Sequence, residues 1–149
     1  MKLLVFSDSH GKIDFMIDMV REISPDMILH LGDHDEDAKT LRARFPDIPL
    51  HMVCGNCDFG PGTAERLEIA IAGKTVVLTH GHRYHVKENY NALYNMGHYA
   101  NADLLLFGHT HIPHYEQVGN MHVLNPGSAR KSCALVQITD GEITCMHLP

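Results

Sequence analysis

Short runs of continuous apolar residues alternate with helical stripes along the first half of this chain, and most runs end in a glycine or acidic motif. That pattern leaves few architectures open. Leu3–Ser7 is apolar almost throughout, as expected of a strand buried on both faces. Lys12–Ile23 sets Ile13, Met16, Ile17, Val20 and Ile23 on one helical stripe, and Ser24-Pro25 stops it. Met27–Leu31 reads as a second strand and Leu50–Cys54 as a third. Between them, Asp35–Phe45 forms a weaker helix with Ala38, Leu41 and Phe45 on one face. Strand and helix in turn specify an α/β fold with a largely parallel sheet.

The second half changes style. Glu65–Ala72 alternates Leu67, Ile69 and Ile71 with polar partners, so this strand is half buried. Lys74–Thr79 and Asp103–Phe107 are strands, and Val86–Ala100 is a helix carrying Val86, Tyr90, Leu93 and Tyr94. Gly119-Asn120 and Asp140-Gly141 are tight hairpin signals between alternating segments. The architecture expected is two packed β-sheets flanked by helices, in one domain over residues 1–149. A chain of 149 residues is long enough to remove roughly 68–70% of its unfolded surface from water.

Several classes of function are excluded. No stretch approaches the roughly 20 apolar residues that span a bilayer. The apolar start Leu3–Phe6 stops at Ser7-Asp8, short of the ~7–15 residues of a signal-peptide core, so a cytoplasmic protein without membrane partners is expected. A formal charge of −6 argues against coating long nucleic acids or anionic membranes. Four cysteines are too few for a disulfide framework. Cys54-Gly55-Asn56-Cys57 has C-x-x-C spacing, but Asp58-Phe59-Gly60-Pro61-Gly62 follows and should break the helix that a redox motif needs.

Histidine is the unusual residue, with 13 copies, and neutral imidazole is the commonest protein metal ligand. Five polar motifs follow predicted strands: Asp8-Ser9-His10, Gly32-Asp33, Gly55-Asn56-Cys57-Asp58, His80-Gly81-His82 and Gly108-His109-Thr110-His111. In α/β sheets, ligands bind beyond the carboxyl ends of the strands. Alone, each motif reads most simply as surface polarity; five at corresponding positions do not. Carboxylate, amide and imidazole donors together suit Mn²⁺, Fe²⁺, Zn²⁺ or Ni²⁺ better than Ca²⁺.

The ordered set D-x-H, G-D, G-N-x-D, H-G-H and G-H-T-H resembles the calcineurin-like metallophosphoesterases. The length, the Gly55–Asp58 form and Asn125-Pro126-Gly127-Ser128 resemble the small YfcE-like phosphodiesterases within them. The resemblance implies an αββα sandwich and a phosphodiesterase acting through a hydroxide between two divalent ions, most simply Mn²⁺. It implies one ion on Asp8, His10, Asp33 and His111, and a second on Asp33, Asn56, His80 and His109. Asp58 is expected to orient a histidine ligand, and His82 to touch the phosphate, relay a proton or support a ligand. Many relatives carry histidine where Cys57 stands, and there it assists the leaving group. A thiol is the poorer acid, so the proton donor is left unassigned.

Arg83 and Arg130 read as phosphate clamps or as solvated charges. His34 follows Asp33 and could reach the site; His30 and His51 lie within strands. His85, His98, His114, His122 and His147 read as surface or edge positions, and Tyr90 and Tyr94 as core. The implied substrate is a small phosphodiester or nucleotide-like ester, and a homo-oligomer is compatible. Phosphomonoester or nucleotide pyrophosphate hydrolysis at the same metals is a second reading, and a non-catalytic scaffold, the fate of the retromer subunit of similar fold, is a third.

Overall fold

The computed structural model describes residues 1–58 and 63–149. Chain order is β1 (Lys2–Phe6), α1 (Asp14–Ile23), β2 (Met27–His30), α2 (Asp35–Arg44), β3 (Leu50–Met52), β4 (Arg66–Ile71) and β5 (Lys74–Thr79). Then come α3 (Asn91–Tyr99), β6 (Leu104–Leu106), β7 (His114–Val118), β8 (Met121–Asn125), β9 (Cys133–Thr139) and β10 (Glu142–Leu148). Two five-stranded sheets result, ordered β10-β9-β1-β2-β3 and β4-β5-β6-β8-β7. Strands β1, β2 and β3 run parallel, as do β5, β6 and β8, while the two late hairpins add antiparallel neighbours.

The continuous apolar runs have a direct structural cause. Along β1, Leu3 and Val5 face the layer between the sheets, packing with Leu29, Val76, Leu104 and Leu124. Leu4 and Phe6 point the other way, against Met16, Ile17 and Val20 of α1 and Leu41 of α2. The second sheet repeats this arrangement: Leu104 and Leu106 face inward, while Leu105 and Phe107 pack with Leu93 of α3. A strand sandwiched between a sheet and a helix has no wet face, so alternation disappears. Burying each such side chain contributes roughly 1.5–3 kcal/mol. The αββα sandwich expected from the sequence is the fold observed.

One element is shorter than expected. The predicted helix over 86–100 is helical only from Asn91 to Tyr99. A 3-10 turn at His82–Tyr84 and left-handed His85 (φ 53°) set a different path, and Asn89 Oδ1 accepts from the Asn91 N–H where the helix begins. Val86 is buried, as its spacing predicted, but from a turn. Among the described residues no helix is long and apolar enough to cross a membrane.

Candidate metal centre

The motifs meet because parallel strands deliver their carboxyl ends to one side of both sheets. Asp8 follows β1, Asp33 follows β2, His80 follows β5, and His109 and His111 follow β6. Of the predicted ligands, Asp8, His10, Asp33, His109 and His111 all have positive φ, between 47° and 73°. Left-handed backbone is uncommon for residues with a Cβ, though Asp and His tolerate it better than most, and it concentrates at functional sites. Here it turns each side chain back towards the strand ends.

Two groups of donor atoms form, each within 4.8 Å, and they share one carboxylate. Asp8, His10, Asp33 and His111 make the first; Asp33, His80 and His109 make the second. Asn56 joins the second group, its Oδ1 lying 3.1 Å from His80 Nε2. The sharing residue, Asp33, has Oδ1 accepting from the Cys57 N–H at 2.9 Å. Its Oδ2 lies 3.6 Å from His10 Nε2 and 3.5 Å from His80 Nε2.

Asp8 and His80, like Asp33, are oriented by further contacts. Asp8 Oδ2 accepts from Ser7 Oγ at 2.6 Å and from the His109 N–H at 3.0 Å. Its Oδ1 is buried with no hydrogen-bond partner, 3.2 Å from His111 Nε2. His80 Nδ1 donates to the Leu31 carbonyl at 2.8 Å, which fixes the tautomer and turns the Nε2 lone pair inward. That nitrogen stands 3.2 Å from His109 Nδ1. His10 Nε2 is likewise buried and unpartnered. Unpartnered buried donors that converge on one volume cost free energy unless a cation satisfies them, so these residues fit divalent ions.

The electrostatics agree. Burial works against ionisation of Asp33, but the hydrogen bond and charge of His80 and donation from Cys57 outweigh it, keeping the carboxylate well below its ordinary range. Burial disfavours His80 imidazolium too, yet the Asp33 hydrogen bond and the charges of Asp8 and Asp33 raise its pKa. Burial, reinforced by His80, pushes His109 down to about 4, so its ring is neutral near pH 7. Metal binding would require both imidazoles neutral, the state burial favours for His109, whereas in His80 a bound cation would have to oppose the pull of Asp33 and Asp8.

The glycines of the motifs answer to packing. A Cβ on Gly108 would overlap Ser7 Oγ and crowd Asp8 Oδ2, and one on Gly55 would overlap Asp33 Oδ1. The backbone has to pass under these side chains with nothing projecting.

The remaining sequence-predicted residues divide. His82 lies beside the cluster, its ring centroid 5.5 Å from His80 and 6.2 Å from His109, and its Nδ1 is buried without a partner. Burial, then the neighbouring His80, lowers its pKa. Asp58 departs from expectation: it orients no histidine ring. Its carboxylate instead accepts from the backbone N–H groups of Asp33, His34, Asp35 and Gly55, at 2.7–3.0 Å. Negative charge at the start of α2 is favourable, and those amides would otherwise lack acceptors. Asp58 therefore ties the loop after β3 to the loop after β2.

Cys57 reaches Asp33 through its backbone, and its side chain is exposed. Its thiol is pushed up by burial and by Asp33, Asp58 and Asp8, contrary to the lowered pKa of a redox cysteine. All four cysteines are free. The helix-breaking segment expected over 59–62 lies outside the described residues.

Arg83 pairs with Glu65 at 2.9 Å on the surface. Arg130 is exposed beside Gly11 and Lys12. His34 is half exposed, with Nδ1 3.5 Å from Asp37 Oδ1. His30 is fully buried beside Ser9 Oγ. Of the histidines expected at surface or edge positions, His114 and His147 lie on the edge strands β7 and β10, half buried, His114 edge-on against Tyr90 and His147 Nε2 donating to the Asn125 carbonyl. His122, on β8, is half buried with Nδ1 2.6 Å from Tyr115 Oη.

Some supporting residues escape a motif search. Ser7 fixes Asp8; Asp37 accepts from the Gly11 N–H and from Ser9. Asn125 Nδ2 donates to the Gly108 carbonyl and to Thr110 Oγ1, and Ser128 Oγ donates to the Asp8 carbonyl. The Asn125–Ser128 segment carried the only sequence signal for any of these.

Comparison with known proteins agrees with this arrangement. The profile of the Calcineurin-like phosphoesterase superfamily domain matches residues 1–144. A Bacillus subtilis (strain 168) protein named probable metallophosphoesterase YsnB is 32% identical over 133 residues, covering 87% of this chain and 76% of its own. Phosphodiesterase YfcE of Escherichia coli (strain K12) is 27% identical over 152 residues, covering 86% of this chain and 79% of its own. A Streptococcus pneumoniae TIGR4 protein, described as a predicted phosphoesterase, superposes with a TM-score of 0.83 at 28% identity, over 99% of this chain and 88% of its own. Zn²⁺-complexed Vps29 from Entamoeba histolytica gives 0.79 at 24% identity, over 99% of this chain and 98% of its own, a likeness of fold alone. With its fold and a profile match over residues 1–144, the chain belongs to the calcineurin-like phosphoesterase superfamily.

Proposed function

We propose that this protein is a divalent-metal-dependent phosphodiesterase that binds two ions, one in each donor group, with Asp33 shared. One observation carries the reading: Asp33 Oδ2 lies between His10 Nε2 at 3.6 Å and His80 Nε2 at 3.5 Å, the spacing of a carboxylate that serves two sites at once. Dications held there, Mn²⁺ foremost and Fe²⁺, Zn²⁺ or Ni²⁺ as alternatives, supply Lewis acidity to the phosphoryl oxygens and acidify water at neutral pH.

The chain's own residues supply the remaining functions. Asp8, His10 and His111 would hold one ion, and Asn56, His80 and His109 the other, with Asp33 common to both. The orientation of Asp8, His80 and Asp33 is set in advance by Ser7, the Leu31 carbonyl and the Cys57 amide, so little reorganisation of these three accompanies substrate binding. His82, neutral and with an unpartnered Nδ1, is the group in reach to hydrogen-bond a phosphoryl oxygen. Cys57 keeps its proton near neutral pH and is a weak donor to the leaving oxygen. Esters with good leaving groups are therefore the favoured substrates. A cytoplasmic setting accords with four free thiols.

A substrate panel tests the reading. The Mn²⁺-loaded protein is offered aryl phosphodiesters, the matching monoesters, cyclic nucleotides and nucleotide pyrophosphates, and the alcohol released is measured. Diesters should turn over fastest. Faster monoester or pyrophosphate cleavage would move the activity to the second reading. No turnover of any ester by protein with both ions bound would make it a scaffold, the case that the Vps29 likeness of fold keeps in view.

A further inference from the structure

We propose that His34, held by Asp37, is a substrate-binding residue that receives a hydroxyl carried by the alcohol part of the phosphate ester. The proposal rests on phosphate held at the donor cluster, the reading given above, and adds what the ester's substituent has to offer.

His34 belongs to neither donor group. Its ring centroid lies 6.3 Å from that of His10, much as His82 lies 6.2 Å from His109. Each donor group therefore has one histidine beside it that is not a member. The His34 side chain is 47% exposed, open to a ligand. Its backbone is left-handed (φ 75°), like that of Asp33 before it. Both polar backbone atoms are pinned: the N–H donates to Asp58 Oδ1 at 2.7 Å, and the carbonyl accepts from the Asp37 N–H at 3.0 Å. Such a backbone is uncommon for a residue with a Cβ and is imposed by its surroundings.

The ring is set by a buried polar chain that contains none of the donor residues. The Gly32 N–H donates to His30 Nδ1 at 3.2 Å, so His30 carries its proton on Nε2, 3.0 Å from Ser9 Oγ. Ser9 Oγ accepts there and donates to Asp37 Oδ2 at 2.7 Å, where the Gly11 N–H also donates at 2.7 Å. Ser9 and His30 are fully buried and Asp37 nearly so. With Oδ2 engaged twice, Oδ1 is left to His34 Nδ1, 3.5 Å away. A carboxylate in that place favours the ring proton on Nδ1, so Nε2 presents its lone pair.

That lone pair selects the class of substituent. An anionic oxygen would meet it repulsively, and an alkyl group would leave it unmatched. A hydroxyl donates to it. The phosphoryl oxygens then belong to the ions and His82, and the hydroxyl of the substituent to His34.

The test is a binding measurement. Calorimetric titration of the Mn²⁺-loaded protein compares glycerol 3-phosphate with propyl phosphate, the same skeleton without hydroxyls, and with inorganic phosphate. A hydrogen bond contributes about 0.5–1.5 kcal/mol net, so glycerol 3-phosphate should bind about 2- to 12-fold tighter than propyl phosphate. His34→Asn tolerates the left-handed backbone and keeps an N–H for Asp37, but has nothing at the position of Nε2. It should bring the ratio close to one, with metal content as in wild type. Equal affinity of the two esters for wild type, an unaltered ratio in His34→Asn, or loss of metal from that variant would each overturn the role of His34 and leave the phosphoesterase reading intact. Wild-type protein that holds two ions yet binds neither inorganic phosphate nor either ester would sink the phosphoesterase reading, and the hydroxyl contact with it.

Discussion

The two ends of the sandwich both depend on left-handed backbone, with different results. At one end the hairpins β7–β8 and β9–β10 turn through Gly119 (φ 61°), Asp140 (φ 52°) and Gly141 (φ 79°). Both glycines have open space around them. At the other end Asp8, His10, Asp33, His109 and His111 adopt similar angles, and their side chains crowd one another with buried polar atoms unpartnered. Glycine is the inexpensive choice for positive φ, and both ends use it, through Gly119 and Gly141 at the hairpins and Gly32 and Gly81 beside the cluster. The cluster end also places five Asp and His residues at positive φ, where the side chain is what the position presents. Backbone strain alone does not mark a site; strain together with convergent, unsatisfied donors does.

The contrast would be broken most sharply by Asp33→Ala. Removing the shared carboxylate should cost both ions and on the order of 10³-fold or more in diester hydrolysis, read by metal content and turnover. Retention of two ions would end the bridging role.

A second test uses acid. Fully buried His30, at the end of β2, has its pKa lowered by burial to about 4 from 6.5. The unfolded chain therefore takes up a proton at a pH where the native state does not. Metal-free protein should lose stability as pH falls from about 6.5 to about 4, by on the order of 3 kcal/mol from this group. Denaturant melts across that window check it, and His30→Asn should flatten the slope.

The smallest effect separates the ends most cleanly. Gly141→Ala should cost about 1 kcal/mol through its φ alone and leave metal content unchanged. Gly108→Ala forces Ser7 and Asp8 to move, so it should cost about 1–3 kcal/mol and lower metal occupancy as well. Equal metal content in the two variants would remove the distinction.

The fold was legible because burial on two faces writes itself as continuous apolar runs: Leu3–Phe6 and Leu104–Phe107 face a sheet on one side and a helix on the other. The positions that converge on the cluster were legible for a related reason, since parallel strands bring their carboxyl ends together. What stayed hidden depends on long-range partners. Nothing local says that Asp58 will accept from four backbone amides, or that Ser128 will reach the Asp8 carbonyl. The path of residues 86–90 is not legible because Val86 and Tyr90 keep helical spacing, yet Val86 is buried and Tyr90 half buried from outside the helix. His114 lies on the edge strand β7, as expected of a surface or edge position, but its packing against Tyr90 and Phe107 is not legible locally because they come from elsewhere in the chain.

Strand β1 lies between β2 and β9, pairing Leu3 with Val136 and Val5 with Ala134. This has a consequence in time. On the ribosome, β1 and its Asp8 emerge well before β9, so one edge of that strand stays open until Cys133–Thr139 follows. Such high sequence separation slows folding and leaves an apolar edge awaiting its partner. The Asp8 carbonyl also waits for the Ser128 hydroxyl. The donor cluster is therefore among the last features of the molecule to close, and a partly synthesised chain carries most of the donor residues without the geometry that brings them together.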